Sequence, residues 1–286
     1  MVHRTAFAAM TLVAAFGMNI GTSFAFDESR YPDWRGQWSR VFVPGLRGNP
    51  SWDPYKSEGA AQEAPFTPEY KALHDASLAD QAGGGSGLDQ DFLCVSPGMP
   101  RMMNVYAPME IIIRPEVTHM LITFLGDMRR IFTDGRDWPN PLEGTLAGYS
   151  IGRWIDENGD GRYDLLEIET RGFRGHRTLD STAIPLHADN ATIVRERIRG
   201  DAADPDVIQN EITVIDHAFT RPWTVTKRYR RETDPLAHWR ESSCAEDNVH
   251  VRIGGEHYML GGDGNLMPAK RGQKPPDLSH FQNLRN

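Results

Sequence analysis

Apolar residues recur at every second position through much of the chain, in short runs broken by turn residues. Residues 110–114 (EIIIR), 118–125 (THMLITFL) and 128–133 (MRRIFT) are rich in β-branched and aromatic side chains. Pro115-Glu116 and Gly126-Asp127 separate them, which predicts a three-strand meander. Residues 149–155 and 163–170 read as two further strands. Residues 192–198 (TIVRERI), 207–215 (VIQNEITVI) and 223–229 (WTVTKRY) alternate apolar with polar positions, as strands with one wet face do. Short strands follow at 249–253 and 257–260. Period-two patterning at this spacing predicts an all-β fold, either an antiparallel barrel-like (calycin-like) architecture or a sandwich.

The chain before residue 93 has a different texture. Residues 1–25 read as a secretory leader: a basic start at His3 and Arg4, an apolar stretch shorter than the roughly 20 residues of a membrane span, and small residues at Ser23 and Ala25. Residues 26–92 read as an irregular arm in which Trp34 to Trp38 can begin a strand. Thr67-Pro68 opens a short helix, with proline just inside a threonine cap. Residues 93–286 then form a single β domain whose C-terminal part wraps back over the sheet.

Composition narrows the partners. A net charge of −8 argues against nucleic acid, which requires a basic footprint, and no segment after the leader is apolar enough to enter a bilayer. The oligomeric state is not legible. The two cysteines, Cys94 and Cys244, form an even pair in a chain read as exported, which predicts a disulfide closing a long loop. A reactive thiol is the alternative, without a CxxC or nucleophile motif behind it. A zinc site is disfavoured because its ligands do not cluster in the sequence.

Candidate chemistry falls in three places. Asp134-Gly135-Arg136 ends the meander with an acid beside a guanidinium, followed by Trp138; a functional edge and a mutual ion pair both fit. His187 and His217 lie at strand ends, with Asp189 and Asp216 placed to orient an imidazole, and Trp223 close by. Arg101, in the rigid Gly98-Met99-Pro100-Arg101 segment, is either solvated or binds an anionic group. His119 sits in the most apolar run and reads as a core residue, with a cavity-lining role as the alternative. Asp156, Asn158, Asp160, Gly161, Asp164 and Glu167 occupy positions 1, 3, 5, 6, 9 and 12 of a calcium loop, with Arg162 at the carbonyl position 7. A structural calcium and a plain polar hairpin turn are the two readings of this loop. Nucleophile-elbow, phosphate-loop and dinucleotide motifs are missing.

Cys94 with Gly98-Met99-Pro100-Arg101, Arg130-Ile131-Phe132-Thr133-Asp134-Gly135-Arg136, Gly148 to Trp154, and Ile212 to Trp223 with its Asp216-His217-Ala218 core together resemble a family of exported, largely uncharacterised bacterial proteins common in sphingomonads. Its members keep the Asp-Gly-Arg order, so Asp134 and Arg136 carry over. This chain departs from the family by inserting the acidic 156–167 loop, so calcium is not implied as a family property. The resemblance implies an association with the degradation of aromatic, lignin-derived compounds by cofactor-free lyases or decarboxylases. The expected function is therefore an exported enzyme using metal-independent acid–base chemistry on a hydrophobic aromatic small molecule. His217 or His187 would move a proton, Asp134 would orient or accept, and Arg101 or Arg136 would hold a carboxylate. A non-catalytic carrier and a calcium-stabilised envelope interaction protein are the alternatives.

Overall fold

The computed structural model describes residues 26–41, 64–104, 107–180, 183–234, 238–239, 244, 249–261 and 264–278. The leader and part of the arm lie outside these residues. Nine strands close into a barrel: β1 (Gln37–Arg40), β2 (Met109–Ile113), β3 (Val117–Ile122), β4 (Met128–Phe132), β5 (Tyr149–Ile155), β6 (Leu165–Arg171), β7 (Ile193–Gly200), β8 (Val207–Ile215) and β9 (Trp223–Arg231). A separate three-stranded sheet holds β10 (His250–Ile253), β11 (Glu256–Leu260) and β12 (Leu266–Pro268).

The arm is part of the barrel. Trp38 pairs with both Met109 of β2 and Arg231 of β9, so the short strand β1 completes the ring. The helix α1 (Pro68–Ala82) starts where the Thr67-Pro68 pair predicts and runs for 15 residues. The Thr67 hydroxyl accepts the Tyr70 amide at its start, and Gly83 caps its end.

One pairing departs from the antiparallel expectation. β4 and β5 run parallel, with Ile131 opposite Ser150 and Phe132 opposite Ile151. A parallel pair needs a crossover rather than a hairpin. Residues 133–148 supply it, and they stay against the wall: Trp138 meets Tyr149 at a ring distance of 6.1 Å, and the Thr145 amide bonds the Gly172 carbonyl at 3.0 Å.

Alternation sorts the strands into two faces. Thr118, Met120 and Ile122 of β3, and Ile208, Asn210, Ile212 and Val214 of β8, are buried on the inner face. Inward-facing side chains of the strands pack together in one core cluster. Met99, Met102 and Met103 are buried in the same core cluster as the strands, and Tyr229 donates its hydroxyl to the Met103 carbonyl at 2.6 Å. Gly98 has φ +61°, and a β-carbon there would stand 2.2 Å from the Leu146 carbonyl oxygen, so glycine is required where this segment turns inward.

A polar belt crosses the core. Arg129, 1% exposed, and Glu196, 2% exposed, form a bidentate pair. Ser150 and Thr170 accept two further Arg129 hydrogens at 3.1 and 2.8 Å, and Asn210 donates to Glu196 at 2.9 Å. Desolvating two charges is costly, and these extra bonds are what makes the pair tolerable.

Cys94 and Cys244 are joined in a disulfide, 150 residues apart, which ties the C-terminal part to the segment before β2. Among the described residues no helix is long and apolar enough to cross a membrane. Cutting a cross-link over so long a loop enlarges the unfolded ensemble. Reduction is therefore expected to lower stability by about 2–5 kcal/mol. Urea unfolding with and without reductant measures the loss, and a Cys94→Ser variant should match the reduced protein.

Candidate functional site

The last rung between β7 and β8 pairs Ile193 with Ile215, which sets the chain entering β7 beside the chain leaving β8. Asp216 keeps the inward phase of β8 and is buried. Its carboxylate accepts the His187 amide at 2.9 Å, the Ala218 amide at 2.8 Å and the Thr192 hydroxyl at 2.5 Å. One buried acid thus organises both loops. Behind it Arg177 donates to the Thr192 hydroxyl at 2.7 Å and lies 4.1 Å from the Phe173 ring centre. Burial lowers the Arg177 guanidinium to about 10, against the pull of Asp216 and Asp189.

The N-terminal arm braces the same place. Tyr70 of α1 accepts the Ala188 amide at 3.1 Å, and its ring lies 5.1 Å from the His187 ring. The Thr67 amide bonds the Ala218 carbonyl at 2.8 Å, and the Thr220 amide bonds the Pro65 carbonyl at 2.7 Å.

On this support Asp189 bridges two imidazoles. Its carboxylate oxygens stand 2.9 Å from His187 Nδ1 and 2.6 Å from His217 Nδ1, and the two rings meet edge to face at 5.6 Å. Burial pushes Asp189 up, but the Ala191 amide, His217 and His187 outweigh it and hold the carboxyl at about 2. The bond to Asp189 raises the pKa of His217. The His217 side chain is 70% exposed, so its outer face is open to a ligand. A carboxylate on Nδ1 fixes the proton there and leaves Nε2 free to exchange one.

No protein-family model matches the chain, and no curated protein matches it.

The structure brings His187, Asp189, Asp216 and His217 together and leaves the other candidates elsewhere. Asp134 and Arg136 hold each other, at 2.6 Å between Arg136 Nη2 and Asp134 Oδ2, and Arg136 also lies 3.8 Å from the Phe132 ring centre. Their bond to each other lowers the pKa of Asp134. The carboxylate that meets His217 is Asp189, not Asp134. Ile151, Glu169, Arg195 and Thr213 form one outer row across β5 to β8, so three strand spacings, roughly 14 Å, separate the Arg136 side from the strand that leads to His217. That outer face carries a groove of about 650 Å³ lined by Arg136, Arg153, Arg195 and Arg197 together with Glu167, Glu169 and Glu211. Trp138 lies under Arg171, at 5.0 Å.

His119 is corrected from core to outer face. Its neighbours Thr118 and Met120 are buried while His119 is only half-buried, because β3 places the opposite phase inside. Trp223 is a core residue, edge-on to Phe219 at 5.8 Å. In the acidic loop Asp156 accepts the amides of Gly159, Asp160 and Gly161, Asn158 accepts that of Asp160, and Asp160 accepts that of Arg162. The Asp164 carboxylate accepts the Glu157 amide, and Glu167 faces outward to Arg153 and Arg197.

Arg101 is buried and held by Asp89 at 2.8 Å, by Asp91 and by the Thr178 hydroxyl, so its guanidinium is engaged within the protein. Two carboxylates share this one cation. Burial raises Asp91 to about 6 despite Arg101, with Asp89 and Asp127 adding to the rise. An acid whose folded pKa exceeds its unfolded value contributes stability below the unfolded pKa and loses it as pH rises through the folded one. Stability is therefore expected to fall between about pH 4 and about pH 6 through this group. An Asp91→Asn variant, followed by thermal melts across that range, should lack this component.

Proposed function

We propose that the protein is an exported acid–base enzyme of lyase or decarboxylase type acting on an aromatic acid, with His217 as the proton-transferring group. The observation that carries this reading is the Asp189 carboxylate placed between two imidazoles on loops fixed by the buried Asp216. Asp189 orients His217 and stabilises its charged form, His217 Nε2 meets the substrate, and His187 is the second imidazole of the pair. His217 follows Thr213 and Ile215 on the outward phase of β8, which leaves its ring on the solvent side of the barrel where a substrate can reach it. The disulfide supports export to an oxidising compartment such as the periplasm. The resemblance of the Gly98–Arg101, Asp134–Arg136 and Asp216–Ala218 motifs supplies the aromatic substrate class. In this reading the acidic 156–167 loop, with or without calcium, is structural.

A carrier reading has its own observation. A second cleft of about 640 Å³ lies between Phe26, Tyr31 and Trp34 of the arm and Ile111 to Ile113 of β2, and Arg35, Arg114 and Arg162 also line it. Incubation of the protein with phenolic acids and aryl-propanoids, followed by mass analysis, separates the two. Turnover that disappears in His217→Ala supports the enzyme. Retention of an unchanged ligand by wild type and His217→Ala alike supports the carrier.

A further inference from the structure

The geometry points to a divalent transition-metal site formed by His187, Asp189 and His217, selective for a borderline cation of the zinc class. This rests on the same side chains as the proposed function but makes a separate claim about what they hold. One ligand atom from each residue lies within 4.8 Å of the other two, close enough to converge on a single ion. Two imidazole nitrogens and one carboxylate oxygen are a donor set for zinc, cobalt or nickel, whereas calcium takes oxygen ligands.

Further observations favour a cation here. One carboxylate already sits against both imidazoles, its oxygens 2.9 Å from His187 Nδ1 and 2.6 Å from His217 Nδ1, so the three donor groups face one another before any ion arrives. With neutral imidazoles, Asp189 and Asp216 outweigh Arg177 by one negative charge, so the local field favours a cation. The ligand loops are also held before any ion arrives, by Asp216, Thr192 and Tyr70. Three protein ligands leave the remaining positions to water or a small ligand.

Metal loading and proton transfer exclude each other. An imidazole that binds metal through Nδ1 carries its remaining proton on Nε2, so His217 in that state is a donor and no longer a base. Zinc is therefore expected to suppress turnover when it occupies the site.

The test is calorimetric titration of chelator-treated, full-length protein with Zn²⁺, paired with Co²⁺ absorption spectra. One equivalent is expected to bind with micromolar or tighter affinity. Binding should weaken by at least about 100-fold in His217→Ala and in His187→Ala, each checked for native circular dichroism. It should be unchanged in Asp156→Ala, which alters the acidic loop. No saturable binding, or binding unaffected by His217→Ala, overturns the site. Zinc binding in a protein that turns over no aromatic acid removes the acid–base reading and leaves the metal site. Turnover by a protein that binds no zinc does the reverse.

Discussion

Replacing Glu196 by alanine is expected to cost about 3–5 kcal/mol of folding stability, because it leaves the Arg129 guanidinium charged and unpaired in the barrel core. In a chain of this size that is a fall in melting temperature of roughly 6–20 °C. The loss belongs to the orphaned charge, not to the removed contact. Replacing both residues by apolar side chains, as in an Arg129→Met, Glu196→Leu double variant, should therefore recover most of it. Ser150, Thr170 and Asn210 would then lack their charged partners, which limits the recovery. Urea denaturation of Arg129→Met, of Glu196→Leu and of the double variant measures the coupling. A Glu196→Ala protein as stable as wild type would show that the pair does not organise the core.

The second large effect is expected at Asp216. Its carboxylate holds two amides and a hydroxyl from both loops of the site, and alanine would leave all three donors without an acceptor. The expected cost is at least about 2–3 kcal/mol, and it should be accompanied by loss of the site. His187 and Asp189 are placed by the His187 amide bond, and His217 by the Ala218 turn, so both imidazoles should lose their fixed positions. Asp216→Asn keeps one oxygen acceptor and should lie between alanine and wild type. Imidazole nitrogen resonances of His187 and His217 report the disassembly directly, since an ordered Asp189 contact holds each ring in one tautomer. If Asp216→Ala keeps both sets of resonances, the site stands without its buried anchor.

Much of this was legible in the amino-acid sequence, and the parts that were not have physical causes. The alternation in VIQNEITVI and TIVRERI placed strands β7 and β8 to within a residue or two, because one face is apolar and the other is wet. The same alternation put Glu196 in phase with Val194 and Ile198, a sign of a buried charge that was readable but not its partner. Arg129 was hidden in an Arg-Arg pair, of which one member faces inward and the other outward. His119 was misplaced because β3 is apolar on both faces, so the phase cannot be told from composition.

For the site, His187 with Asp189 and Asp216 with His217 were recognisable as local acid–imidazole pairs. Their convergence was not, since it depends on the β7–β8 pairing that brings together residues 28 apart. Asp134 was a plausible partner only while strand neighbours were unknown. Period-two patterns fix faces, whereas the crossover between β4 and β5 decides which loops are adjacent. The grouping of His187, Asp189 and His217 was not legible for the same reason, because Asp189 and His217 meet across loops and not along the chain. The supporting groups Arg177, Thr192 and Tyr70 carry no motif at all, and only the fold shows what they hold.

The central claim is that His217, oriented by Asp189, transfers the proton. The most direct measurement is the ratio of kcat/KM between wild type and His217→Ala on an aromatic acid that the protein turns over, both proteins being chelator-treated. The exposed His217 side chain can be removed without disturbing the core, so a change in rate reports chemistry and not folding. A general acid–base role predicts a drop of about 10²–10⁴-fold. A His217→Ala protein with kcat/KM equal to wild type would contradict it.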